Sequence, residues 1–177
     1  MTRYGVVHGR FQPFHNQHLE YVLSGKRLCD HLVIGITNPF PERAQFSSES
    51  PHRHTNDANP YSFFSRYQMV RNSLLLEGLT AEAFTIVPLC LFSTHEWSQV
   101  LPPKDQTQFY VRVFSDWERK KISDFRDLGY SIIEIDPGVT KRMTATEVRE
   151  RIARGGDWSS LVPAGTFAML SGLGVSS

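Results

Sequence analysis

Cysteine is scarce in this chain: Cys29 stands just before an apolar run, Cys90 lies inside one, and 177 residues hold no others. Two isolated thiols build neither a disulfide framework nor a metal knuckle, so both read as small hydrophobes in a reducing compartment. An excess of one charge is also missing. Nineteen Lys and Arg stand against 18 Asp and Glu, a formal net charge of +1, and that balance draws in neither a nucleic-acid backbone nor an anionic membrane by field alone. No apolar run approaches the roughly 18 residues of a membrane span, and the opening MTRYGVVHGRFQ lacks the apolar stretch of a secretory signal. The expectation is a soluble, cytoplasmic protein with no nucleic acid and no membrane among its partners. With 40% hydrophobic residues the chain has material for one sizeable core. One domain is expected over 1–170, with 171–177 as a frayed tail.

No internal repeat is visible either, which excludes a solenoid. What is present is alternation. Strand-like runs at Tyr4 to Gly9, His31 to Thr37, Phe84 to Cys90, Gln108 to Phe114 and Tyr130 to Asp136 are interleaved with helix-like runs. The helical runs are Leu19 to Asp30, Phe63 to Gly78, Trp117 to Leu128 and Ala145 to Ala153. HLVIGIT, FTIVPLC and YSIIEID are almost continuously apolar, as central parallel strands covered on both faces must be. The predicted fold is α/β: a single doubly wound, Rossmann-like domain with a mostly parallel five-stranded sheet and helices on both faces. Pro39 to Pro60, rich in Pro, Ser, His and Asn, reads as one long loop of the kind that more often carries function than filler. Within it His52, Arg53 and His54 are either anion contacts or solvated polarity.

Ligands of such sheets bind at the carboxyl ends of the strands, and the first crossover there is informative. It reads His8-Gly9-Arg10-Phe11-Gln12-Pro13-Phe14-His15-Asn16-Gln17-His18. Gly9 would let a phosphate approach the backbone, Pro13 fixes the turn, and the following helix start offers free amides and a positive dipole end. His15 and His18, three apart, would face the same way on a helical turn. With Arg10 they would grip a polyphosphate whose charge grows on its bridging and leaving oxygens during transfer. By spacing alone, two plainer readings stay open: a metal-binding histidine pair, for which no third ligand lies at a matching distance, or ordinary core and surface histidines. A second candidate lies near the other end. Thr144 and Glu147 have capping-box spacing, so a helix starts there, and its amides with Thr146 and Arg149 would form another anion cradle. The plainer reading is a capped surface helix with basic residues.

GRFQPFHNQH resembles the first signature of the HxGH nucleotidyltransferase superfamily, and in full it is similar to the archaeal type of nicotinamide-mononucleotide adenylyltransferase. MTATEVR resembles the second signature, ISxTxxR. Asn59-Pro60-Tyr61 followed by Arg66-Tyr67-Gln68-Met69 resembles the NPF and ERxxM segments, and GGDWSSLVP resembles GExWExLVP. The resemblance covers nearly all of residues 3–165. It implies that His15, His18, Arg10 and Arg149 act on the phosphates, and that Gly9, Phe11, Gln12, Thr144, Thr146 and Arg66 help to bind the nucleotide. It further implies that Trp97 stacks on a flat acceptor, with Thr94 and Asp116 beside it. Departures cluster on the acceptor side. Thr94 stands where the family has Asn, and Ser115-Asp116-Trp117 stands where it has a Gly-Asn or Asn-Asn pair. Gln17 replaces the Gly between the histidines, so its side chain must point away from the nucleotide or narrow its site.

The implied reaction joins the nucleoside monophosphate of ATP, or of another nucleoside triphosphate, to a small phosphorylated acceptor and releases pyrophosphate. An ionised acceptor oxygen needs no general base. Mg²⁺ is expected to arrive with the triphosphate, since no carboxylate cluster builds a permanent cage, and no metal ligands are assigned. Adenylyl transfer to nicotinamide mononucleotide, forming NAD, is the first expectation. Cytidylyl or adenylyl transfer to another phosphate or phosphonate acceptor is the alternative, and a non-catalytic nucleotide-binding sensor is a third. The resemblance also implies a homo-oligomer.

Overall fold

The computed structural model describes residues 2–40, 58–114, 116–135 and 143–172. Five strands, β1 (Thr2–Gly9), β2 (Cys29–Thr37), β3 (Phe84–Leu89), β4 (Thr107–Arg112) and β5 (Ser131–Ile135), make one sheet in the order β3-β2-β1-β4-β5. Every pairing is parallel. The helices are α1 (Asn16–Lys26), α2 (Phe63–Leu76), α3 (Trp97–Val100), α4 (Asp116–Asp127), α5 (Ala145–Ala153) and α6 (Ala164–Leu170).

Successive strand residues point to opposite faces, and each face of the sheet is covered. Val7, Ile34 and Tyr110 pack with Phe14, Val22 of α1 and Met69 and Leu74 of α2. On the other face Val6, Val33 and Phe109 pack with Trp97 of α3 and Ile122 and Phe125 of α4. The expected doubly wound domain is therefore present, and its central strands are apolar because both faces are dry.

Boundaries shift where a stronger constraint than local propensity acts. α1 begins at Asn16, not Leu19, because His15 is extended (φ −121°, ψ 173°) and caps the helix. It ends at Lys26, short of Asp30, because Cys29 is already paired with Thr2 in β2. The strand expected to reach Phe114 stops at Arg112, and the one expected to reach Asp136 is described as far as Ile135, Asp136 lying outside the described residues. Of the expected Pro39 to Pro60 loop, 41–57 lies outside the described residues, as does 173–177 of the tail.

α6, which the sequence reading did not anticipate, lies across α2. A Cβ added to Gly165 would meet the Ser73 amide nitrogen at 2.3 Å and the Asn72 carbonyl carbon at 2.5 Å, so this crossing depends on glycine. Gly165→Ala is expected to cost about 2–3 kcal/mol of stability in chemical denaturation, the scale of core overpacking. Gly156→Ala, whose nearest contact would be 3.6 Å, serves as the control, with less than about 0.5 kcal/mol expected. Equal stability of the two variants would contradict the close crossing.

Candidate active site

β1 leads to β2 on one side of the sheet while β4 leads to β5 on the other, so the point where the winding reverses lies between β1 and β4. There the strands also part. Their mutual register ends at Val6–Phe109, yet β1 stays with β2 as far as Gly9–Ile36 and β4 with β5 as far as Arg112–Ile135. The result is a crevice at the carboxyl ends, where open α/β sheets bind ligands.

One wall of the crevice is the turn from β1 to α1. His15 and His18 stack ring on ring, centroids 3.6 Å apart and 19° from parallel, and His18 in turn lies over Phe14 at 5.9 Å and against the edge of Phe11 at 5.0 Å. The His15 amide donates to Nδ1 of His18 at 3.3 Å. With Nδ1 accepting, the ring proton sits on Nε2, so His18 offers an N–H donor without first taking up charge. His15 is buried and His18 half-buried. The Arg10 guanidinium bonds Asn59 Oδ1 at 3.4 Å.

The other wall is the start of α5. Thr144 Oγ1 accepts the Glu147 amide at 3.2 Å, an N-cap worth about 1 kcal/mol. The expected return bond from the Glu147 carboxylate is replaced, because Arg151, one turn on, takes that carboxylate at 3.0 Å. Arg149 leans back, as helical side chains do. Its guanidinium donates to the Gln12 carbonyl at 2.6 Å and to Thr146 Oγ1 at 3.2 Å. Burial lowers the Arg149 pKa, with Tyr61 and Glu150 pulling it back up. The two signatures, 137 positions apart at this contact, thus meet on one rim of the sheet.

Several residues expected to touch the nucleotide hold the walls in place. The Phe11 ring fills the space beside Gly9, where a Cβ would meet it at 2.5 Å, so glycine is needed there for the ring. Phe11 itself is buried with φ +53°. The buried Gln12 amide pairs with the backbone of Tyr61 in both directions, each bond 3.0 Å. Arg66 is fully buried, and every nitrogen of its guanidinium donates to a carbonyl. Nε bonds Ser62, Nη1 bonds Arg10 and Thr37, and Nη2 bonds Asn38, at 2.7–3.3 Å. Burial pulls its pKa down to about 10. Arg66 is accordingly a clamp on β1, β2 and α2, which corrects its placement as a phosphate contact.

On the acceptor side the structure also departs from expectation. Trp97 is 1% exposed, packs on Phe109, Phe125 and Tyr130 at 5.0–5.6 Å, and donates Nε1–H to the Cys90 carbonyl at 2.9 Å. That is a core ring with its faces covered, not an open stacking platform. Thr94 is exposed, in the turn after β3, and β2 separates that strand from β1. Asp116 opens α4, but its side chain lies outside the described residues, as do Ser115, Lys141, Arg142 and the His52, Arg53, His54 trio.

Two crevice residues were given no role from the sequence, Tyr61 entering only as part of a matched segment. Arg112 ends β4, and an arginine closing the apolar run FYV at a strand's carboxyl end was the signal. Tyr61, tied to Gln12, has its hydroxyl pKa raised by burial and pulled back by Arg149.

A family described as Cytidylyltransferase-like matches residues 6–151, a span that contains both walls of the crevice. The chain belongs to that family. It is 36% identical, over 97% of its length and 92% of the relative's, to the phosphonoformate cytidylyltransferase of Streptomyces viridochromogenes. It is 31% identical to the nicotinamide-nucleotide adenylyltransferase of Thermococcus kodakarensis, over 92% of this chain and 79% of that one. Among solved structures it superposes on a bifunctional NMN adenylyltransferase/ADP ribose pyrophosphatase from Francisella tularensis with a TM-score of 0.69 at 23% identity. That match covers 92% of this chain and 45% of the larger enzyme. A complex of such a Francisella enzyme with AMP and manganese matches with a TM-score of 0.67 at 19% identity, covering 98% of this chain and 49% of that one. These two structural matches establish the fold.

The clamp makes a prediction about stability. Arg66→Met leaves buried carbonyls without donors and is expected to cost about 3–5 kcal/mol in denaturation. Arg66→Lys, which keeps the charge but not the fork, should recover only part of that loss. A variant Arg66→Met as stable as the parent would show that the clamp does not hold the crevice.

Proposed function

We propose that this chain transfers a nucleoside monophosphate from a nucleoside triphosphate to a small phosphorylated acceptor. The observation that carries the reading is the bond from Arg149 to the Gln12 carbonyl, 2.6 Å long. It brings two helix starts and the groups His18, Arg10, Thr146 and Arg149 to one crevice, where anions are favoured.

In this mechanism an ionised acceptor oxygen attacks the α-phosphorus in line. A new P–O bond forms as the bond to the bridging oxygen breaks, and its electron pair leaves with pyrophosphate. An ionised phosphate or phosphonate needs no general base, so catalysis rests on positioning and on neutralising the departing charge. His18 would donate through Nε2, Arg10 and Arg149 would neutralise the polyphosphate, and the free amides of α1 and α5 would orient it. The donor set here, amides, hydroxyls and cations, suits phosphate oxygens. No group of three or more His, Cys, Asp or Glu that would hold a metal occurs among the described residues. A divalent ion such as Mg²⁺ would accordingly be carried on the phosphates, where it would neutralise charge.

Adenylyl transfer from ATP to nicotinamide mononucleotide is the reading that likeness to the archaeal adenylyltransferases supports. A second reading, cytidylyl transfer to a small phosphonate, is favoured by two specific observations. The relative at 36% identity is a phosphonoformate cytidylyltransferase, and the Trp97 ring is enclosed in the core rather than open to an aromatic acceptor.

Pyrophosphate release, assayed with ATP and CTP against nicotinamide mononucleotide and simple phosphonates, separates the two. Turnover with the mononucleotide supports the first, turnover confined to a phosphonate supports the second, and none with any pair contradicts both. In the active pair, His18→Ala is expected to lower kcat by about 10²–10³, the loss seen when one transition-state donor is removed, while the circular dichroism spectrum stays unchanged. Near-normal turnover in that variant would remove His18 from the mechanism.

A further inference from the structure

Gln17 stands between the two histidines, where the resembling family has glycine, and its side chain does not turn away from the crevice. Gln17 Oε1 accepts the Met143 amide at 3.2 Å, and the Gln17 carbonyl accepts from Nη1 of Arg112 at 3.3 Å. Arg112 lies over the Tyr21 ring at 5.6 Å, burial lowers its pKa, and its Nε is buried without a hydrogen-bond partner. Three segments are thereby tied at one point: the end of β4, the first turn of α1, and the residue just before the N-cap of α5. Met143 directly precedes Thr144, so wherever its amide is held, the free amides of α5 are aimed.

We propose that Gln17 and Arg112 are positioning residues for the nucleoside triphosphate. Arg112 fixes the first turn of α1, and Gln17 fixes the approach to α5, so the two anion-binding helix starts keep the separation that one polyphosphate tail spans. The inference rests on the function proposed above. Gln17 is an added constraint, because a glycine there leaves the Met143 amide without this acceptor and leaves Arg149 to make the connection alone. Donor arrays misaligned by an ångström lose much of their grip on a ligand that must meet both. The loss should fall on the nucleotide and spare the acceptor, whose attacking oxygen approaches the α-phosphorus from the opposite side.

The test is calorimetric titration of the full chain with ATP and with CTP in the presence of Mg²⁺, followed by kinetics with the active acceptor. Gln17→Ala and Gln17→Gly are each expected to weaken nucleotide binding roughly tenfold, the equivalent of one hydrogen bond of about 1.4 kcal/mol. The acceptor KM should stay within about twofold, and melting should fall by no more than about 4 °C, as losing one bond in a half-exposed residue implies. Arg112→Met should weaken nucleotide binding in the same direction. The double variant should be no weaker than the poorer single one, because both act through the same link. Unchanged or tighter nucleotide binding in Gln17→Gly, beside a parent chain that binds normally, would overturn this inference alone. A loss shared equally by nucleotide and acceptor would also overturn it, as a sign of general loosening. A parent chain that binds neither ATP nor CTP would overturn the proposed function as well.

Discussion

The arrangement depends on one contact, the donation from Arg149 to the Gln12 carbonyl. It joins a helix start near the end of the sequence to a turn near its beginning. A short bond from a charged donor to a buried carbonyl is among the stronger kinds. Gln12 spends its side chain on Tyr61, so its carbonyl is held rigidly enough to position the guanidinium. Beneath this contact lies Arg66, whose bonds to Arg10, Thr37, Asn38 and Ser62 hold the ends of β1 and β2 against α2. One arginine organises the floor of the crevice, and another brings its walls together.

The sheet supplies the setting for both. Because the winding reverses between β1 and β4, these strands separate above Val6 and Phe109, and the turns leaving them open onto a common space. His18 occupies that space on a stack of aromatic rings, with its tautomer set by a backbone amide. A neutral donor aimed by a rigid stack costs little to reorganise as charge develops on a leaving group.

Much of this was legible in the residues. Alternating apolar runs gave the strand and helix rhythm because a sheet buried on both faces tolerates few polar side chains. The start of α5 was readable from the spacing of Thr144 and Glu147, since an N-cap is a local event. The i, i+3 spacing of His15 and His18 put the two rings side by side, although His15 is the extended N-cap and not part of the helical turn. The assignments that changed were those decided by tertiary contacts. Arg66 and Gln12 carry polar groups that in sequence look ready for a ligand, yet folding commits them to backbone partners. Trp97 carries the same ring whether it stacks on substrate or on Phe109, and only packing distinguishes the two. Gly9 is small because of Phe11, a neighbour whose positive φ turns its ring inward. The end of α1 was misread because the pairing of Cys29 with Thr2 is a long-range event that local propensity does not report.

A structure with a nucleoside triphosphate analogue whose α,β-bridging oxygen is replaced by methylene tests the central claim most directly. The account predicts one triphosphate lying across the β1–β4 crevice, with His18 Nε2 and Arg10 on one side of its phosphates and the α5 amides with Arg149 on the other. A triphosphate held by only one of these walls, or bound away from the crevice, would contradict it.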